Sequence, residues 1–366
     1  MESHIQLLEK LISNAAVSSQ PENVNRSMDT VAEYLAAAGI PQLTFETFGD
    51  RKVLFAANRP GKVQDVILNA HLDVVPAEAH QFQPVADGDK ICGRGAVDDL
   101  GNAVVAIETL RLMKDSPIGI GVIFTADEEI GGDTTAGMVE LGYRATSLAV
   151  VLDGNANAIV CREKGMAIFQ CTAGGIACHA STPVPGENPI TKLMQGYCRL
   201  EAEFAKWPQM KDGDLWHLTM VPCIISGGDA DNQVPASASM TINVRYTSTE
   251  ELERFSIMLK EAMGDEKDIA VQIPRTCLPV FCDENNPVMQ MMMEELRKAV
   301  PEAEPQFETM CGATDARHMT GWNVPIAITG VVGNGFHGVD EWVSSKSIAQ
   351  YIQWLCSVIR RLDEEK

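Results

Sequence analysis

One repeated unit limits what this chain can fold into: a short apolar run closing on acidic residues or a histidine. The run at 66–70 closes on His71-Leu72-Asp73. The run at 118–124 leads into Thr125-Ala126-Asp127-Glu128-Glu129, and the run at 148–152 ends in Asp153-Gly154. A further run, 325–329, precedes the glycine-rich stretch Gly333-Asn334-Gly335-Phe336-His337-Gly338. Uninterrupted apolar runs of this length suit strands buried on both faces. Between them apolar residues recur at helical spacing: Ile5, Leu8, Leu11 and Ile12, then Met28, Val31, Leu35 and Ala36, then Ala103, Val104, Ile107 and Leu110. Strand–helix–strand alternation implies an α/β fold, a sheet flanked by helices.

The texture changes near residue 165. Strands at 166–172 and 240–246, a helix at 189–207 and an amphipathic pattern at 250–263 describe a small α+β domain. After residue 277 the α/β pattern returns, with helices at 287–300 and 344–362. The expected organisation is a catalytic domain made of 1–165 and 276–366, with 166–275 inserted into it.

Composition excludes several partners. The 366 residues include 45% apolar side chains, enough for two cores. With 29 basic against 50 acidic side chains the formal charge is -21, which argues against nucleic acid or an anionic membrane as partner. There is no run of about 18 apolar residues to span a bilayer, and no apolar signal region opens the chain. The ten cysteines show no C-x-x-C spacing; Cys171, Cys198 and Cys223 read as reduced core thiols of a cytoplasmic protein.

The strand ends carry the chemistry. In H-x-D at a strand end, His71 and Asp73 point to the same side, and a carboxylate beside a metal-binding imidazole fixes its tautomer. In Gly93-Arg94-Gly95-Ala96-Val97-Asp98-Asp99 two glycines permit a close backbone approach before two carboxylates at a helix start. Helix-start aspartates are common without any ligand, so that reading stays open here. Adjacent Glu128 and Glu129 suit a division of labour, one binding metal and one moving protons; a solvated acidic loop is the alternative. Asp153 closes another run, and His337 sits among glycines with little apolar packing. Mixed nitrogen and oxygen ligands of this kind suit Zn²⁺, Co²⁺ or Mn²⁺, and carboxylate-rich sets can hold two ions.

These motifs resemble those of the M20 family of metallopeptidases and deacylases: H-L-D-V-V-P (71–76), G-R-G-A-V-D-D (93–99), T-A-D-E-E-I-G-G (125–132), the aspartate of L-D-G (152–154) and G-F-H-G-V-D-E (335–341). They occur in family order over nearly the whole length. The resemblance implies a zinc-exopeptidase-like catalytic domain with an inserted lid and dimerisation domain, two divalent ions, and a small amide substrate. His71 and Asp153 would bind one ion, Glu129 and His337 the other, and Asp98 would bridge them, with a cis peptide to Asp99. Asp73 would orient His71, and Glu128 would act as general base. Within 166–275, the H-A-S motif at His179 would reach a partner subunit's site and steady an oxyanion, making the chain a homodimer. Asn232 and Arg245 match substrate-carboxylate contacts, and Thr314 and Asp315 lie in a loop resembling the substrate side of the deacylases. Arg317 in that loop reads equally as a structural ion pair, and His4, His80, His217 and His318 receive no role.

Two departures bear on specificity. Leu100 stands where many relatives have Lys. Asp153 stands where deacylases and carboxypeptidases of the family have Glu; Asp-Gly resembles the aminopeptidase and dipeptidase branches. The expected activity is hydrolysis of an N-acyl amino acid, with a dipeptidase, tripeptidase or aminopeptidase as the alternative. A non-catalytic binding protein on the same fold is disfavoured because every catalytic and metal position is filled.

Overall fold

The computed structural model describes residues 3–184, 186–264 and 269–364. By packing, the chain divides into two units: Met1–Cys161 with Phe281–Glu308 and Thr314–Lys366, and Arg162–Val280 with Thr309–Ala313. The boundaries lie a few residues from those read in the sequence, and the short segment Thr309–Ala313 packs with the second unit. Among the described residues no helix is long and apolar enough to cross a membrane.

The first unit is built on a mixed sheet flanked by helices. In spatial order its strands include Gln42–Phe48, Arg51–Ala57, Ile120–Thr125, Val63–His71, Arg144–Ala156 and Ile326–Gly330. The last four are mutually parallel neighbours. They are the apolar runs of the sequence, and Ile120–Thr125 is buried at every position. Their carboxyl ends therefore lie along one edge, where open α/β sheets place ligands. The register pairs His71 with Thr125 and Asn69 with Val151, so His71 and Asp153 stand level. Gly101–Leu112 packs on Val63–His71 and Ile120–Thr125 and against the C-terminal helix Ser345–Glu364. Almost all of its residues are buried, as a helix covered on both sides requires.

The second unit is a four-stranded antiparallel sheet in the order Thr219–Gly227, Ser237–Tyr246, Gly165–Gly174, Ile269–Cys277. Ser237–Tyr246 alternates strictly, with Ala238, Met240, Ile242, Val244 and Tyr246 buried. Pro189–Phe204, capped by Asn188, and Thr249–Met263, capped by Ser248, contribute Leu193, Leu200, Phe255 and Leu259 to the same core. The two outer strands escaped the sequence reading for a physical reason. Edge strands need bury neither face fully: Val221, Ile224 and Ile225 are exposed, and Pro222 interrupts the pairing register. One expectation is corrected. Cys171 is buried, but Cys198 lies on the exposed side of its helix and Cys223 on the edge strand, so neither is a core thiol.

Gly121 explains the one glycine inside an otherwise apolar strand. A Cβ there would stand 2.7 Å from the Phe55 ring and 3.0 Å from Gln64 Cγ. Gly121→Ala should therefore destabilise the chain by about 1–3 kcal/mol through overpacking. A urea midpoint unchanged from the parent would contradict that account.

Candidate active site

Each strand end delivers its side chain to one place. His71 is the last residue of its strand and 2% exposed. Its backbone N–H donates to Asp99 Oδ2 at 3.0 Å. Its ring Nδ1 stands 2.9 Å from the Asp73 carbonyl, which can only accept, so Nδ1 carries the proton. Nε2 is then turned toward Asp98 Oδ1, at 3.1 Å. Asp73 is fully buried and held in turn: Ser18 Oγ donates to Oδ2 at 2.7 Å and the Glu128 N–H to Oδ1 at 3.1 Å. Asp73 thus links the strand end bearing His71 to the turn bearing Glu128.

Asp98 stands between two imidazoles. Its other oxygen, Oδ2, is 3.1 Å from His337 Nε2, and His337 Nε2 is also 3.2 Å from Glu129 Oε2. The Asp98–Asp99 peptide is cis. Two trios of donor atoms result, each within 4.8 Å of one another: His71, Glu128 and Asp153, and Asp98, Glu129 and His337. The structure thus gathers His71, Asp98, Glu129, Asp153 and His337 near Asp73 and Glu128. Glu128, expected as the base, is itself one of the first trio's donors.

The electrostatics describe a place short of positive charge. Burial, with Glu128 and Asp98 adding to it, raises Asp153 well above the usual carboxylate range. Burial likewise raises Glu128 and Glu129, despite His71 nearby. Asp98 goes the other way, because hydrogen bonds from His337 and His71 outweigh its burial. The hydrogen bond to Asp98 lifts His337 to about 9, and those to Asp73 and Asp98 lift His71 against its own burial. Glu129 Oε1 is buried without a hydrogen-bond donor among the described residues. An unpaired carboxylate oxygen, crowded acids and an imidazole whose second nitrogen faces a carboxylate all fit divalent cations. The donors are hard oxygens and imidazole nitrogens, with no thiolate in either trio.

The remaining expected residues fall elsewhere. His179, Asn232 and Arg245 belong to the second unit. There His179 pairs with Gln233, and the Ala180 N–H donates to the Asn232 carbonyl at 2.8 Å, so His179 and Asn232 adjoin. Arg245 lies near the end of Ser237–Tyr246. Thr314 and Asp315, expected as substrate contacts, are both buried. Thr314 is buried and caps a short turn by accepting from the Ala316 N–H. Asp315 is 1% exposed, its Oδ2 accepting from Thr125 Oγ1 at 2.8 Å and Thr135 Oγ1 at 2.6 Å. Asp315 thus braces the strand end at Thr125, and Thr314 holds its own turn. Arg317 is buried too, donating to the carbonyls of Thr314 and Gly131 and standing 3.4 Å from Glu128 Oε1. Sequence reasoning missed Ser18 and Glu341 as supports of the site. Ser18 lies 55 residues from Asp73, and no local pattern marks it.

Known proteins share this fold. Residues 67–361 match the family described as peptidase family M20/M25/M40. A probable succinyl-diaminopimelate desuccinylase of Staphylococcus aureus is 26% identical over 329 residues, covering 78% of this chain and 80% of its own. A succinyl-diaminopimelate desuccinylase of Sulfurovum is 23% identical, covering 94% and 95%. Among solved structures, the aminopeptidase PepT of Bacillus cereus superposes with a TM-score of 0.78 at 17% identity, covering 99% of both chains. A tripeptidase of Staphylococcus aureus gives 0.76 at 18% identity over the full length of both. With the family match extending over most of its length and taking in both His71 and His337, the chain belongs to peptidase family M20/M25/M40 and is a hydrolase of amide bonds.

Proposed function

We propose that the chain is a two-metal amidohydrolase that releases the amine from an N-acyl amino acid. The observation that supports this most is Asp98, whose two oxygens face His71 and His337 and so belong to both halves of the donor cluster. In this reading His71 and Asp153 would hold one ion, Glu129 and His337 the other, and Asp98 would serve both; Zn²⁺ suits the set, as do Co²⁺ and Mn²⁺. Bound ions would supply Lewis acidity and lower the pKa of water. Glu128 takes the proton from the attacking water. Burial, which favours its neutral form, then helps it hold that proton until the leaving nitrogen accepts it. The acyl carbon gains the water oxygen as its bond to nitrogen breaks. Asp73 keeps Glu128 and His71 in register through their two hydrogen-bonded segments.

His179 is proposed to act from a second copy of the chain, joined through 166–275 in a cytoplasmic homodimer. It is exposed, and its Nδ1 accepts from the Ser181 N–H at 3.1 Å, which leaves the proton on Nε2. An outward Nε2–H is the donor an oxyanion needs. Asn232 and Arg245 of the same unit would contact a substrate carboxylate. The desuccinylase names of the relatives favour an N-acyl amino acid. Asp153 in place of Glu favours a second reading, a dipeptidase, tripeptidase or aminopeptidase.

A metal-supplemented panel of N-acetyl and N-succinyl amino acids beside dipeptides and tripeptides separates the two readings by kcat/KM. Chelation should abolish turnover, and added Zn²⁺, Co²⁺ or Mn²⁺ should restore it. Glu128→Gln should lower kcat by about 10²–10⁴-fold while metal content stays at the parent value; a near-normal rate would refute its role as base. His179→Ala should likewise lose turnover with metal content unchanged. Mixing it with Glu128→Gln should return part of the activity if His179 serves the partner's site, and a strictly monomeric chain in ultracentrifugation would sink that idea.

A further inference from the structure

The two segments that carry Asp98 and His337 lie side by side. Strand Lys90–Cys92 pairs antiparallel with Trp342–Ser344, which pairs with Gly333–Asn334. The first strand continues into the turn at 93–99. The loop joining the other two holds His337, itself at a left-handed φ of 59° and with a half-exposed side chain. Where turn and loop meet, Arg94 and Glu341 form an ion pair, 3% and 2% exposed.

This pair reaches both segments at once. Glu341 Oε2 accepts from the Gly95 N–H at 2.9 Å, and Oε1 accepts from the Val97 and Asp98 N–H groups at 3.1 and 3.2 Å. Arg94 Nη2 donates to the carbonyls of His337 at 2.9 Å and Gly338 at 2.8 Å, while Nη1 holds Glu341. Gln81 Nε2 adds a second donor to the Gly338 carbonyl at 3.0 Å. The guanidinium reaches the carboxylate from one nitrogen and the two carbonyls from another, a span that the single nitrogen of a lysine ammonium does not reproduce. Glycine at 95 is required for the same closeness, since a Cβ there would stand 2.5 Å from Val74 Cγ1 at a φ of 81°. His71 needs no such clamp, being the end of a paired strand with its N–H on Asp99.

We propose that Arg94 and Glu341 are positioning residues that lock the His337 loop onto the Asp98 turn, and so form the Asp98–Glu129–His337 half of the metal site selectively. The proposal rests on the two-metal reading. Breaking a buried pair leaves an uncompensated charge, so single variants also carry a folding cost, and the test therefore compares the two halves within one protein.

The full-length apo chain is titrated with Co²⁺ by calorimetry, with the visible spectrum of bound Co²⁺ and metal content after desalting as further readouts. The parent should bind two ions; one that binds none overturns both the two-metal reading and this proposal. Arg94→Lys, which keeps the charge and loses the fork, should bind one ion as the parent does and the second about 10- to 100-fold more weakly. The second ion's spectral bands should then be lost at limiting Co²⁺. Gln81→Ala, which leaves the ion pair whole, should weaken the same ion by a smaller factor and gives a readout if Arg94→Lys fails to fold. Two ions bound with parent affinity in both variants, or both ions weakened alike, would overturn the selective role.

Discussion

Negative charge crowded at the ends of buried strands is the constraint from which the rest of the first unit follows. Asp73, Asp98, Asp99, Glu128, Glu129 and Asp153 converge on two imidazoles, and burial pushes Asp99, Glu128, Glu129 and Asp153 toward their neutral forms. Desolvating so many carboxylates is unfavourable unless cations or donors compensate. The chain supplies donors wherever a carboxylate is to stay in place: Ser18 and the Glu128 N–H on Asp73, the His71 N–H on Asp99. Among the described residues Glu129 Oε1 and Asp99 Oδ1 are left without one. The imbalance therefore sits at the cluster where Glu129 and the Asp98–Asp99 turn meet the two imidazoles.

The sheet makes that concentration geometrically possible. Four adjacent parallel strands end along one edge, so residues separated by most of the chain arrive within a few ångströms. Side chains such as Phe55, Phe124 and Leu68 are fully buried beneath them, and the rigidity of that packing lets strand-end groups be positioned more closely than loop residues alone would be. His337 is the exception: it stands on a loop, and its neighbours Arg94, Glu341 and Gln81 take over the positioning that a strand gives His71.

The second unit obeys a different rule. Its sheet buries one face, its sequence alternates, and its two helices are capped by Asn188 and Ser248. Its exposed edge strand Thr219–Gly227 and outward His179 leave chemistry available at its surface. The hydrogen bond from Ser181 chooses the His179 tautomer, a choice made by a neighbour two residues away.

Much of this was legible in the residue string. The apolar runs announced the central strands because burial on both faces demands uninterrupted apolar side chains, and the acids and histidines after each run marked the ligand candidates because charge at a buried strand end needs a reason. The edge strands were not legible, since one-sided contact imposes no pattern on Val221 or Ile225. Nor were the partners of Asp315 and Thr314 legible: Asp315 accepts from the hydroxyls of Thr125 and Thr135, and Thr314 from the Ala316 N–H. By itself the sequence determined the fold class and the identities of the converging side chains, because hydrophobic periodicity and residue chemistry are local properties. Only the tertiary structure decided which nitrogen of His71 faces Asp98, that Ser18 holds Asp73, and that Arg94 meets Glu341 from 247 residues away. Those are contacts between distant segments, and nothing short of the folded chain specifies which distant donor meets which acceptor.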